Sequence, residues 1–284
     1  MNLRKAAFAG SWYPADAKAC ERAITGFMEE FDGLGHDGRE FMGSIVPHAG
    51  WYFSGGIACN AIARLQGPTP TDVVVVFGMH LHPRSPNFIM ADGAWETPFG
   101  NMPVAQDLAQ ALSRRFRFTQ ETPVDFTRDN TIELQLPFVK YFFPQAKVLT
   151  LGLPPAAASL DIGRAVVAEA LEKGLRIKVV GSTDLTHYGP NYGFAPQGSG
   201  AKALAWVRDE NDRRVIDAML ALDGAGVIRE GVASQSACCA GAAAGAISAV
   251  REIGAANGEI LAYATSHDKS PGDSFVGYVG VLFS

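Results

Sequence analysis

Apolar positions along this chain fall into two patterns. Short unbroken runs rich in β-branched residues, such as Ile45-Val46 and Val73-Val74-Val75-Val76-Phe77, have the composition of strands buried on both faces. Between them, apolar residues recur at intervals of three and four, the spacing of helices with one buried side. The clearest spans residues 17–31, opened by Asp16 as N-cap, with Cys20, Ile24, Phe27, Met28 and Phe31 on one side. Further helices are predicted over 55–63 (capped by Ser54), 104–115, 160–173 and 201–222, with another opening near 234–241. Strands are predicted over 72–77, 87–91, 147–153, 176–182, 260–265 and 275–283. Gly33, Gly35 and Gly38 mark a loop in which His36 reads as solvated. Strands alternate with helices and no repeat or linker interrupts them. The expectation is one α/β domain over 1–284, with a central mixed, mostly parallel sheet flanked by helices.

Composition narrows the function classes. The 284 residues are 48% hydrophobic and 19% charged, enough for a sizeable core, with a net charge of −5. No lysine or arginine stripe offers a footprint for nucleic acid, and anionic membrane surfaces are equally poor partners. Residues 237–250 are apolar but small and too few to span a bilayer. Arg4-Lys5 precede too few apolar residues for a signal segment. The four cysteines show neither C-x-x-C nor zinc-finger spacing, so a reducing, cytoplasmic setting is expected.

The unusual polar residues fall where strands and helices begin or end. Pro47 stops the first strand and leaves His48 at its carboxyl end, where α/β sheets bind ligands. The Val73–Phe77 run leads into Gly78-Met79-His80-Leu81-His82, placing two histidines on one side of an extended segment. A third strand runs into Thr183-Asp184-Leu185-Thr186-His187. Asp184 there can orient the His187 imidazole, or simply close an Asx-turn around a packed histidine. Cys238-Cys239 open a helix, whose free N–H groups favour thiolate, although small buried cysteines are common. Trp12, in Gly10-Ser11-Trp12-Tyr13-Pro14, reads equally as a packed arm or a pocket wall. Glu133 reads as a helix-start carboxylate more readily than as support for a metal. Two imidazoles and a thiolate with positions left open suit iron, copper or zinc.

The ordered segments AGSWYP (9–14), PHAGWYFSG (47–55), the strand ending Gly78-x-His, TIELQLPF (131–138), STDLTHYG (182–189), the Cys239 region, YATS (263–266) and GYVG (277–280) resemble the Memo family, protein B of the AmmeMemoRadiSam system. The resemblance covers nearly the whole chain. It implies a fold similar to the class III extradiol dioxygenases, which use non-haem iron(II). It also implies His48, His80 and Cys239 as metal ligands, with His187 as acid–base residue beside Asp184. His80 is preferred to His82 because Pro83 then matches a proline common in relatives. Cys239 is preferred to Cys238 because its spacing to Gly245 matches. Two further departures are Asn130, where relatives often have histidine, and Cys239-Ala240-Gly241-Ala242-Ala243 in place of Cys-Gly-x-x-Pro. The implied function is a metal-dependent, dioxygenase-like oxidoreductase holding iron(II), or else copper or zinc, and acting on an unidentified small molecule. The alternatives are a non-catalytic metal-binding or phosphopeptide-binding module and a hydrolase using zinc-bound water. Association with other AmmeMemoRadiSam components is a further implied partnership.

Overall fold

The computed structural model describes residues 2–30 and 39–284. The loop around Gly33, Gly35 and Gly38, with His36, lies outside them. The strands are β1 (Leu3–Arg4), β2 (Gly43–Val46), β3 (Val73–Gly78), β4 (Asn87–Met90), β5 (Ala94–Trp95), β6 (Met102–Pro103), β7 (Phe118–Glu121), β8 (Lys147–Gly152), β9 (Ile177–Ser182), β10 (His187–Tyr188), β11 (Gly258–Thr265) and β12 (Phe275–Phe283). The helices are α1 (Ala17–Glu29), α2 (Trp51–Ala63), α3 (Gln106–Arg115), α4 (Asn130–Glu133), α5 (Leu136–Phe142), α6 (Ala157–Glu172), α7 (Ala201–Trp206), α8 (Asp212–Leu220), α9 (Gly224–Ser234) and α10 (Ala240–Ile253).

Among the described residues, nine strands form one sheet in the order β10-β12-β2-β9-β3-β8-β4-β7, with β11 also on β12. Its centre, β2-β9-β3-β8, is parallel. Antiparallel pairings extend it on both sides, where β12 joins β2 and β4 joins β8. The sheet is thus mixed, with its parallel part concentrated in the middle. The side-chain alternation of a pleated strand divides β3 between two layers. Val73, Val75 and Phe77 pack with α6, α8, α9 and α10, whereas Val74 and Val76 pack with α1, α2 and α5. Both faces are therefore dry, as the unbroken apolar run requires.

Small residues let α10 lie close to its neighbours. A Cβ on Gly241 would sit 2.2 Å from the Pro154 carbonyl group, so only glycine permits that approach. This docking fixes the amino terminus of α10, and with it Cys238-Cys239, at the carboxyl end of the sheet.

Two predicted elements differ, and a third element is new. The second helix begins at Trp51 with Gly50 at its N-cap. Ser54 lies inside it, where its hydroxyl donates to the Ala49 carbonyl. The predicted helix over 201–222 is interrupted by a π-helical turn, Val207–Asn211. Helix α9 has no counterpart among the predicted elements, since Gly224 and Gly226 in its first turn are poor helix formers. Its N-cap Asp223 accepts from the Gly226 amide, and α9 packs against α10. Among the described residues no helix is long and apolar enough to cross a membrane.

Candidate functional site

Four side chains meet at the carboxyl end of the parallel strands. The donor atoms of His48, His80, Cys238 and Cys239 all lie within 4.8 Å of one another. His48 follows β2 and Pro47, and its amide donates to Asp184 Oδ1 at 2.7 Å. Its Nδ1 is 3.0 Å from the Ser182 hydroxyl. That hydroxyl gives its own proton to the Thr131 carbonyl at 2.7 Å, so it accepts from His48. Nδ1 therefore carries a proton, and Nε2 turns a lone pair toward the cluster.

His80 is set the same way by a different device. Its Nδ1 donates to Asp129 Oδ2 at 3.0 Å, which leaves Nε2 free. The chain reaches this position through Met79, whose φ of 73° is left-handed and unusual for a bulky residue. Such a conformation costs about 1–2 kcal/mol, and the Met79 amide is held by Thr131 Oγ1 at 2.7 Å. Gly78 admits this contact, since a Cβ there would meet Thr131 Oγ1 at 2.5 Å. The two imidazole Nε2 atoms then face each other at 3.2 Å. Two lone pairs at that distance repel unless a proton or a cation lies between them.

The sulfurs complete the cluster. Cys238 Sγ is 3.3 Å from His48 Nε2 and 3.8 Å from Cys239 Sγ. The segment after β9 grips both backbones, Cys238 N donating to the Asp184 carbonyl and Cys239 N to Thr183 Oγ1. Burial would push the Cys238 thiol up, but contact with Cys239 and with the His48 and His80 imidazoles lowers it well below the ordinary range. Cys239 is pushed the other way, by burial and by the neighbouring sulfur. So Cys238 is the more acidic thiol, although Cys239 is the N-cap of α10. Burial also acts to lower the His80 imidazolium, yet Asp129 and Cys238 outweigh it and hold its pKa at about 10, so near neutral pH the proton between the two Nε2 atoms sits on His80 unless a cation replaces it.

His82 lies away from the cluster. Its amide donates to Ser85 Oγ and its Nδ1 accepts from the Arg84 amide, so it closes a local turn. His187 is not part of the cluster but shares a neighbour with it: its Nε2 is 3.8 Å from Asp184 Oδ2, and His48 Nε2 is also 3.8 Å from that oxygen. These are ion-pair rather than hydrogen-bond distances. Burial would lower the His187 imidazolium, but Asp184 and the Cys238 sulfur raise it. Its ring lies against Tyr192, centroids 5.0 Å apart.

A cavity of about 570 Å³ opens over this floor, lined by His48, His80, Asp184 and His187 and walled by Trp12, Tyr52, Tyr192 and Tyr278. No lysine or arginine is among the described residues lining it. Trp12 is 41% exposed and reaches the cavity because the N-terminal arm is tied down beneath it. Glu133 does the tying: it accepts from the Ala7 and Phe8 amides and from the Tyr13 hydroxyl. Asn130 also lines the cavity, and its amide donates to the His48 carbonyl at 2.9 Å.

Three supporting residues were not singled out from sequence. Asp129 caps α4, with Oδ1 accepting from the Thr131 amide, while Oδ2 orients His80. Ser182 carried no signal beyond ending a strand. Asp212, just after the π turn, accepts from the Thr186 amide and hydroxyl and from the Tyr263 hydroxyl at 2.7 Å. It thus holds the residue preceding His187, at a helix irregularity of the kind frequent near functional sites.

Residues 4–282 match the family described as Memo-like protein. A MEMO1 family protein of Methanopyrus kandleri is 33% identical over 296 residues, covering 99% of this chain and 98% of that protein. One of Pyrobaculum arsenaticum is 30% identical over 295 residues, covering 100% and 99%. Among solved structures, an uncharacterized protein of Escherichia coli K12 superposes with a TM-score of 0.52 at 13% identity, covering 85% of this chain and 99% of that one. That likeness concerns the fold.

Proposed function

The chain belongs to the Memo-like family, and from that premise we propose that it is a metal-dependent oxidoreductase acting on a small molecule in the cavity over His48. The observation that carries this reading is the pair of Nε2 atoms facing each other at 3.2 Å beside the Cys238 sulfur, an arrangement that needs a proton or a cation between the nitrogens. Their opposite ring nitrogens are committed to Ser182 and Asp129, as the outer partners of metal-binding histidines usually are. The donor set fits a borderline metal: His48 and His80 supply nitrogen, and Cys238 supplies the sulfur nearest to them. Iron(II), copper and zinc all accept such ligands, sulfur shifting the preference toward copper and zinc. When bound, the metal would supply Lewis acidity and, if iron or copper, one-electron chemistry.

The protein's own groups do the rest. His187, half-exposed to the cavity beside Asp184, holds or moves a proton at its Nε2. The aromatic walls exclude water and offer flat faces to a ring or chain. With no lysine or arginine among its described lining residues, the cavity favours a small molecule over a phosphorylated peptide, since phosphate recognition draws on guanidinium and ammonium groups.

The test begins with metal analysis of protein purified without a chelating tag, where about one ion per chain is expected. His187→Ala should retain that metal while any oxidative turnover found for the wild type falls ~10²–10⁴-fold, the usual contribution of a positioned acid–base group. Loss of metal from His187→Ala would make His187 a ligand and reject its assigned role.

A further inference from the structure

The cluster holds one thiol more than a three-ligand site uses. We propose that both cysteines are ligands, Cys238 adding a second sulfur to the His48, His80 and Cys239 set that the family resemblance implies, so that the metal is held four-coordinate by His48 Nε2, His80 Nε2, Cys238 Sγ and Cys239 Sγ. This rests on the reading that the cluster binds a metal and specifies how.

The spacing of the donors carries the inference. A tetrahedral ion bonded to sulfur at about 2.3 Å and to nitrogen at about 2.0–2.1 Å sets its ligand atoms at fixed separations. Two sulfurs then lie about 3.8 Å apart, two nitrogens about 3.3 Å, and a nitrogen and a sulfur about 3.5 Å. The corresponding distances here are 3.8 Å between the sulfurs, 3.2 Å between the nitrogens and 3.3 Å from Cys238 Sγ to His48 Nε2. The remaining separations are all within 4.8 Å, so small side-chain rotations close the tetrahedron.

The backbone presents both sulfurs together. Thr183 Oγ1 accepts from the Cys239 amide, and the Asp184 carbonyl from the Cys238 amide, which fixes two adjacent residues against the same strand end. Most of Cys239 is packed among apolar side chains, yet its sulfur touches Cys238 Sγ. Two thiolates make the site softer than one, favouring zinc and copper(I) over iron(II). They also fill the position that a three-ligand site leaves open.

X-ray absorption at the zinc edge, on wild-type protein loaded with one equivalent of zinc, reads the sulfur count without any substitution. The expected result is two sulfurs at about 2.3 Å and two nitrogens at about 2.0 Å. Cys238→Ser and Cys239→Ser should each reduce two sulfurs to one. One sulfur in the wild type overturns the proposal while leaving a three-ligand metal site standing. So does a Cys239→Ser spectrum identical to that of the wild type. Zinc that fails to bind at all would reject the metal site itself, and this inference with it.

Discussion

At their carboxyl ends, β2, β3 and β9 lead to His48, His80 and Asp184 beneath a cavity of about 570 Å³. At their amino ends, the same part of the sheet borders a second cavity of about 340 Å³, lined by Met42, Thr71, Leu175, Ile177 and Lys178. Both are concave and partly apolar, so shape does not separate them. What differs is the state of their polar groups. At the amino end Lys178 donates to Glu40 Oε1 at 2.8 Å and to the Phe41 carbonyl at 2.7 Å, and its ammonium is satisfied. At the carboxyl end two imidazole nitrogens and a sulfur converge on one another, and their hydrogen-bonding capacity is met only within the cluster. In parallel strands that end faces helix amino termini, here those of α2 and α10, which bring in new side chains and favour anionic donors. A functional site is thus distinguished by the state of its polar groups, and the larger volume is secondary.

The sharpest way to break this contrast is to remove a donor. His48→Ala should weaken zinc binding more than ~100-fold, beyond the 10–100-fold typical of losing an outer partner. Competition with a chromophoric chelator measures it, and retention of wild-type affinity would dissolve the distinction between the two ends.

A buried carboxyl near the carboxyl end also bears a cost. Burial raises the Asp212 carboxyl from 3.8 to about 6, despite its bonds to Thr186 and Tyr263. Below pH ~4 folded and unfolded chains both hold this proton. Between pH ~4 and ~6 the unfolded chain releases it first, so this residue makes the fold less stable as pH rises. The difference totals about 3 kcal/mol and levels off above pH ~6. Asp212→Asn should therefore gain about that much relative to wild type across the window, in urea unfolding followed at several pH values. Parallel curves for the two proteins would show that Asp212 titrates normally.

A smaller effect sharpens the role of orientation. Asp129→Ala leaves His80 in place but frees its ring, and should lower zinc affinity ~10–100-fold. An unchanged affinity would mean that packing alone sets the ring. The smallest effect belongs to the opposite cavity. Leu171→Ser, at an exposed position on its wall, should change stability by no more than about 0.5 kcal/mol and leave zinc affinity unaltered. A shift in affinity there would reveal coupling between the two ends.

The local pattern of residues determined much of this. Val73 to Phe77 had to be a strand buried on both faces, because no polar residue in it could face water. Phe275 to Phe283 was equally plain, and Pro47 placed His48 at a strand end by removing a backbone donor. Those same boundaries located His80, His187 and the cysteine pair near one edge of a sheet. The sequence also carried the family resemblance, since its segments are spread along the whole chain.

What only the tertiary structure decided is which atoms meet. Met79 takes a left-handed φ because Thr131, fifty-two positions away, holds its amide, and that turn aims His80 at His48. The free nitrogen of each imidazole depends on Ser182 and Asp129, partners distant in sequence and unremarkable in composition. Close packing of α10 sets both the Cys238 and the Cys239 sulfur beside the histidines, where spacing to Gly245 had pointed to one. The π turn before Asp212 and the helix opened by Asp223 arise the same way, from contacts that outweigh local preference. Strand and helix boundaries are short-range matters of propensity and periodicity. The direction of a lone pair depends on rotamers and hydrogen bonds that form only after distant segments have packed.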